Sequence, residues 1–165
     1  KENEKLVKMI ISNSKRSMEI IKLLNISHLL EFKYKDLGVE DKVKVMIATH
    51  LNSLNEVVVF DDILSYLNND LKIKIVKYLK KNKVTLINFT SEIEEVLLGE
   101  NLVVLENSQI ILSGKVEEVL NNEKKLKDLG IYLPFIIDLS IQLGLYKLIN
   151  KIYFDNKKLI GDLWK

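Results

Sequence analysis

Residues 56–62 read Glu56-Val57-Val58-Val59-Phe60-Asp61-Asp62, an apolar stretch running straight into two carboxylates. A continuous apolar run of this length predicts a strand buried on both faces, as in a parallel sheet. Open parallel sheets bind ligands beyond the carboxyl ends of their strands. Asp61 and Asp62 stand at that end. An apolar strand ending in an acid is one way to hold a carboxylate near Mg²⁺ in nucleotide-hydrolysing folds. The commoner use of such an aspartate is to begin a turn. The flanking sequence has to decide between them.

Before the strand, helical spacing predicts helices over 4–11 (Leu6, Met9, Ile10) and 15–24 (Ile20, Leu23, Leu24), with Ser14 as N-cap of the second. Ile26 to Phe32 continues as a short apolar turn and Lys33 to Asp36 as a polar connector. Another helix opens at Leu37-Gly38-Val39-Glu40-Asp41, with Val43, Ile47, Ala48 and Leu51 on its apolar face. Acids in a first turn favour the helix dipole, which is reason enough for Glu40 and Asp41. His28 reads as a partly buried helix histidine and His50 as a cation suited to a helix end, neither with a second ligand at metal-binding spacing.

After the strand come an amphipathic helix over 69–81, a strand over 84–89, a short helix over 93–98, and strands over 102–105 and 109–112 joined by a tight turn at Asn107-Ser108. Ser113-Gly114 reads as a break, and 117–120 as a helical turn. This alternation is the α/β order of a parallel sheet with right-handed crossovers. Past residue 121 the composition turns polar. Pro134 opens a helix over 135–143 as an N1 proline, Gly144 ends it, and a last helix runs over 159–164, capped by Trp164.

The chain has 165 residues, 47% hydrophobic and 29% charged, with net charge +2. Its lysines are dispersed, and Arg16 is the lone arginine. Base-reading proteins lean on arginine, so no nucleic-acid partner is expected. The absence of cysteine excludes disulfides, thiolate metal sites and cysteine nucleophiles. No apolar run approaches the roughly 20 residues of a spanning helix.

The string Leu37–Asn68, LGVEDKVKVMIATHLNSLNEVVVFDDILSYLN, resembles the central segment of an ABC-transporter ATPase. In that family a five-residue signature, usually Leu-Ser-Gly-Gly-Gln, opens a helix; a strand, the Walker B acids and the D-loop follow. The resemblance aligns Leu37, Gly38, Val39, Glu40 and Asp41 with the signature. Asp61 falls on the Walker B aspartate, which reaches Mg²⁺ through water. Asp62 falls on the catalytic glutamate, and Ser65, Leu67 and Asn68 on the D-loop. Thr90-Ser91 stands where the family carries Thr-His, so Ser91 replaces the switch histidine. NLVVLENSQIILSGKVEEVL resembles the two closing strands and the segment after them, and LKDLGIYLPFIIDLSIQLG is similar to the C-terminal extension of energy-coupling factor transporter ATPases.

The resemblance implies an α/β fold: a partial P-loop NTPase sheet with flanking helices. Residues 1–36 would be a helical-subdomain segment, 37–124 the signature, Walker B and switch-loop part, and 125–165 a C-terminal helical extension that dimerises. Leu139, Leu143 and Tyr146 could equally pack on the chain's own core. The implied cofactors are ATP and Mg²⁺. The implied partners are a second ABC ATPase subunit, identical or related, and a membrane-embedded transporter subunit, at the cytoplasmic face of the cell membrane.

The phosphate-cradling Gly-x-x-x-x-Gly-Lys-Ser/Thr loop is not among these residues; the expectation is that it lies upstream of Lys1. Asp62 is one C–C bond, about 1.5 Å, shorter than glutamate. Ser91 cannot carry a charge. Gly38 lacks the signature hydroxyl, and Val39 and Glu40 replace glycines that let a helix N-terminus approach an anion. The expected activity is therefore nucleotide binding with weak hydrolysis or none. The alternatives are a non-catalytic scaffold or nucleotide-gated interaction module of the same architecture, and an unrelated α/β domain.

Overall fold

The computed structural model describes residues 5–11, 14–53 and 55–164. It divides into two compact units, Lys1–Ser91 and Glu92–Lys165. The division falls inside the 37–124 segment.

In the first unit, α1 (Val7–Ile10) is shorter than the helix expected over 4–11. Leu6 instead bridges Lys33, and the Val7 and Lys8 amides donate to the Phe32 and Leu30 carbonyls. Glu4 and the Met9 side chain lie outside the described residues. Helix α2 (Lys15–Leu24) opens on a capping box in which Ser14 and Ser17 satisfy each other's amides. The buried Ser17 hydroxyl also donates to Asn52 Oδ1 at 3.0 Å, tying α2 to the end of α3 (Val39–Asn52). The apolar face of α3 buries Val43, Ile47, Ala48 and Leu51 as expected, and Val45 besides. His28, expected to be partly buried, is exposed, because its 3₁₀ turn (Ser27–Leu29) packs Leu29 inward instead.

Strand β1 (Val57–Asp61) leads through the 3₁₀ turn Leu64–Tyr66 into α4 (Asn69–Lys81) and then β2 (Thr85–Phe89). The strands pair in parallel, Val57 opposite Thr85 and Asp61 opposite Phe89. The expectation of a strand buried on both faces is overturned. Val58 and Phe60 are buried, at 5% and 1% exposure, whereas Val57 and Val59 are 49% and 52% exposed. Side chains alternate across a strand. Among the described residues only one face of this two-stranded sheet is covered. Ile87 and Phe89 of β2 are exposed as well.

The second unit is built on an antiparallel hairpin, β3 (Asn101–Glu106) and β4 (Gln109–Lys115). The third strand therefore does not extend the β1–β2 sheet, contrary to the α/β alternation read from the sequence. Asn107 and Ser108 both take positive φ, the conformation a two-residue hairpin turn needs. Ser113-Gly114 does not break the strand: Gly114 pairs with Leu102, and β4 runs on to Lys115. The hairpin contributes Val104 to a core filled by α5 (Val116–Leu120), α6 (Glu123–Asp128), α7 (Phe135–Leu145) and α8 (Asn156–Leu163). This shared core, holding Val119, Leu126, Ile137 and Leu159, is why the hairpin belongs with the C-terminal helices. Pro134 is the N-cap of α7 rather than its first residue. The helix runs past Gly144 to Leu145, because its closing left-handed residue is Lys147. The last helix begins earlier than expected because Asp155 caps it, accepting from the Lys158 amide. Among the described residues no helix is long and apolar enough to cross a membrane.

One-sided burial of β1 predicts unequal costs. Phe60→Ala should lose about 3–5 kcal/mol, and Val59→Thr under about 1 kcal/mol. Urea unfolding of both variants measures this; equal losses would mean that both faces are packed.

Candidate functional site

Parallel pairing puts the carboxyl ends of β1 and β2 at one rim of the sheet. Asp61 and Asp62 lie at the end of one strand, and Thr90 and Ser91 follow the other. Both aspartates are exposed. The chain leaves β1 through Asp62, whose φ is +54. The Asp62 amide donates to the Phe89 carbonyl at 2.8 Å, and its own carbonyl accepts from the Ser65 hydroxyl at 2.6 Å.

The turn after the acids is anchored on apolar side chains. Leu64 and Leu67 are buried, at 0% and 5% exposure. Asn68 is the N-cap of α4: its Oδ1 accepts from the Leu71 amide at 3.0 Å. Of the three residues aligned with the D-loop, Leu67 therefore serves the core, Asn68 serves a helix end, and Ser65 holds the acid's backbone.

The residues aligned with the signature surround the start of α3. Leu37 is buried and Gly38 is the N-cap. Val39 is 63% exposed. Gly38 has φ −65, open to any residue, and an added Cβ would meet nothing within 4 Å. Neither backbone nor space requires glycine there. The acids carry a local counter-charge: Lys44 Nζ lies 2.8 Å from Glu40 and 3.5 Å from Asp41. Burial lowers the Lys44 pKa, but Glu40 and then Asp41 raise it, and the net is above the ordinary lysine value. Lys44 therefore keeps its charge at neutral pH, and its side of the pairing is lost as the pH climbs through that raised value. Sequence reasoning misses Lys44, although its i,i+4 spacing from Glu40 is a legible signal. The backbone partner at Phe89 has no such signal.

The rim offers two exposed carboxylates, Asp61 and Asp62. Among the described residues no three His, Cys, Asp or Glu side chains gather into a metal cage. Magnesium keeps waters and phosphate oxygens in most of its coordination sphere and takes one or two carboxylates. Asp61 is a carboxylate of that kind.

No family model matches the chain. The energy-coupling factor transporter ATP-binding protein EcfA1 of Mycoplasma mobile is 30% identical over 152 residues, 90% of this chain and 54% of the relative. The protein of that name from Mesomycoplasma hyopneumoniae strain J is 35% identical over 128 residues, 75% of this chain and 46% of the relative. The chain belongs to the energy-coupling factor type of ABC ATPase. It spans about half the length of these curated relatives. The fold agrees. The solved structure of cbiO1 from Clostridium perfringens, part of the ABC transporter complex cbiONQ, superposes with a TM-score of 0.60 at 22% identity, over 87% of this chain and 59% of that one. The ATP-binding cassette MJ1267 in its ADP conformation gives 0.59 at 20% identity, over 75% and 60%. Two-stranded as it is here, the β1–β2 sheet is part of an ABC-ATPase α/β core.

The two caps in this region differ in what they tolerate. Asn68→Ala should lower stability by about 1 kcal/mol, whereas Asn68→Asp should be near neutral, since both residues cap well. Thermal melts of the two variants check this; equal behaviour would remove the capping role.

Proposed function

We propose that this chain supplies the signature, Walker B and switch-loop part of an ATP-binding subunit of an energy-coupling factor uptake transporter, and that its hydrolytic power is weak or absent. The observation that carries this reading is the register of β1 against β2, which gathers Asp61, Asp62 and Ser91 at one rim. Homology to energy-coupling factor ATP-binding proteins supports the subunit type.

In this reading Asp61 holds Mg²⁺ through water and Asp62 stands where the attacking water must be polarised. Bound Mg²⁺ would neutralise charge between the phosphates. A general base has to lie within hydrogen-bond reach of the proton it takes. Asp62, shorter than glutamate, orients water less well, and Ser91 offers a neutral hydrogen bond where the family has an ionisable imidazole. Val39 and Glu40 make the start of α3 a poorer anion site. The phosphate loop has to come from sequence outside these residues.

The partners in this reading are a second ATPase subunit and a membrane-embedded transporter subunit, with the chain peripheral at the cytoplasmic face. The solved cassette MJ0796, of the same fold, is dimeric. In the C-terminal unit Leu145 and Tyr146 are each 78% exposed and Trp164 is 85% exposed. These side chains are available to a dimerising extension. The scaffold reading keeps the architecture and discards turnover.

Turnover separates the two. In the intact transporter, Mg²⁺-dependent ATP hydrolysis should be slow and should stop with EDTA. Asp61→Ala should abolish it, and Asp62→Glu should raise it on the order of tenfold or more. Steady-state phosphate release is the measurement. Release indifferent to both substitutions would discard the catalytic reading in favour of the scaffold.

For the extension, Tyr146→Asp should shift the assembled protein towards monomer in sedimentation. An unchanged distribution would place the dimer contact elsewhere.

A further inference from the structure

Six non-glycine residues take positive φ among the described residues: Asn25, Asp62, Lys83, Asn107, Ser108 and Lys147. Five have an ordinary reason. Asn107 and Ser108 form the hairpin turn. Asn25, Lys83 and Lys147 close helices in paired 6→1 and 5→2 hydrogen bonds, for example Val84 to Leu79 with Lys83 to Lys80. Asp62 closes no helix and turns no hairpin. It stands at the end of a strand, at the rim. A left-handed residue persists only where its surroundings hold it there, and such residues gather at functional sites.

What holds it is a pair of hydrogen bonds from opposite sides. Its amide is tied to Phe89 O, the last residue of β2 before Thr90-Ser91. Its carbonyl is tied to the Ser65 hydroxyl, on a turn fixed by buried Leu64 and Leu67. We propose that Ser65 is a positioning residue for the Asp62 acid. By holding the carbonyl of the left-handed residue while Phe89 of β2 holds its amide, it sets the direction in which the Asp62 side chain leaves the backbone. This rests on the reading of residue 62 as the water-polarising position. Aspartate suits the arrangement, being more tolerant of left-handed φ than most side chains. In this role Ser65 acts through residue 62.

Amide hydrogen exchange of the full chain, read residue by residue by NMR without nucleotide, tests the clamp. Ser65→Ala should speed exchange at the Asp62 amide roughly three- to tenfold, with exchange at Val58 and Phe60 unchanged, and Ser65→Thr should restore the slow rate. A second variant pair tests the conformation: Asp62→Gly should keep the melting temperature or raise it, and Asp62→Val should lower it. Unchanged Asp62 exchange in Ser65→Ala, failure of threonine to restore it, or a lower melting temperature in Asp62→Gly would overturn the proposal. Neither measurement involves ATP. Loss of the clamp and loss of the ATPase reading are therefore separate outcomes, the latter decided by phosphate release alone.

Discussion

The parallel pairing of β1 with β2 is the constraint on which the rest depends. Parallel neighbours bring like ends together, so any side chain just beyond one strand becomes a neighbour of those just beyond the next. Asp61 opposite Phe89 is the pair that settles this register. A slip of one residue would turn Phe60 outward and the valines beside it inward, because strand side chains alternate with period two. The buried position of Phe60 therefore locks the location of the acids as firmly as their own hydrogen bonds do.

From that register a division of labour follows along the next few residues. Leu64 and Leu67 are held in the core, Asn68 starts α4, and Ser65 between them ties back to the Asp62 carbonyl. The start of α3 shows the same economy. Leu37 anchors it, Lys44 balances Glu40 and Asp41, and Gly38 and Val39 face solvent. Buried Leu37 fixes where these positions lie, and Lys44 offsets the acids beside them.

Much of this was legible in the residues. The amphipathic spacing of 69–81 and the polar residue before it mark α4 to the residue. Ser14 announces α2, and Asn107-Ser108 announces a hairpin. The aspartates at the strand end were likewise readable, since apolar run and acid adjoin. Other features depend on neighbours that a linear pattern does not name. An apolar run such as 57–60 reports what could be buried, not which face finds cover. Gly114 looked like a stop because a lone glycine weakens a strand, yet its partner Leu102 keeps the ladder going. The left-handed peptide at Asp62 needs the carbonyl of Phe89, distant in sequence, and no local spacing predicts it.

The crossover from β1 through α4 to β2 has a kinetic meaning as well. Most parallel sheets fold slowly because their pairings join distant parts of the chain. Here a single helix separates the two strands, and that helix packs against the strand it delivers. Loop-closure entropy is correspondingly small. The segment from Val57 to Phe89 is thus suited to act as an early-forming nucleus.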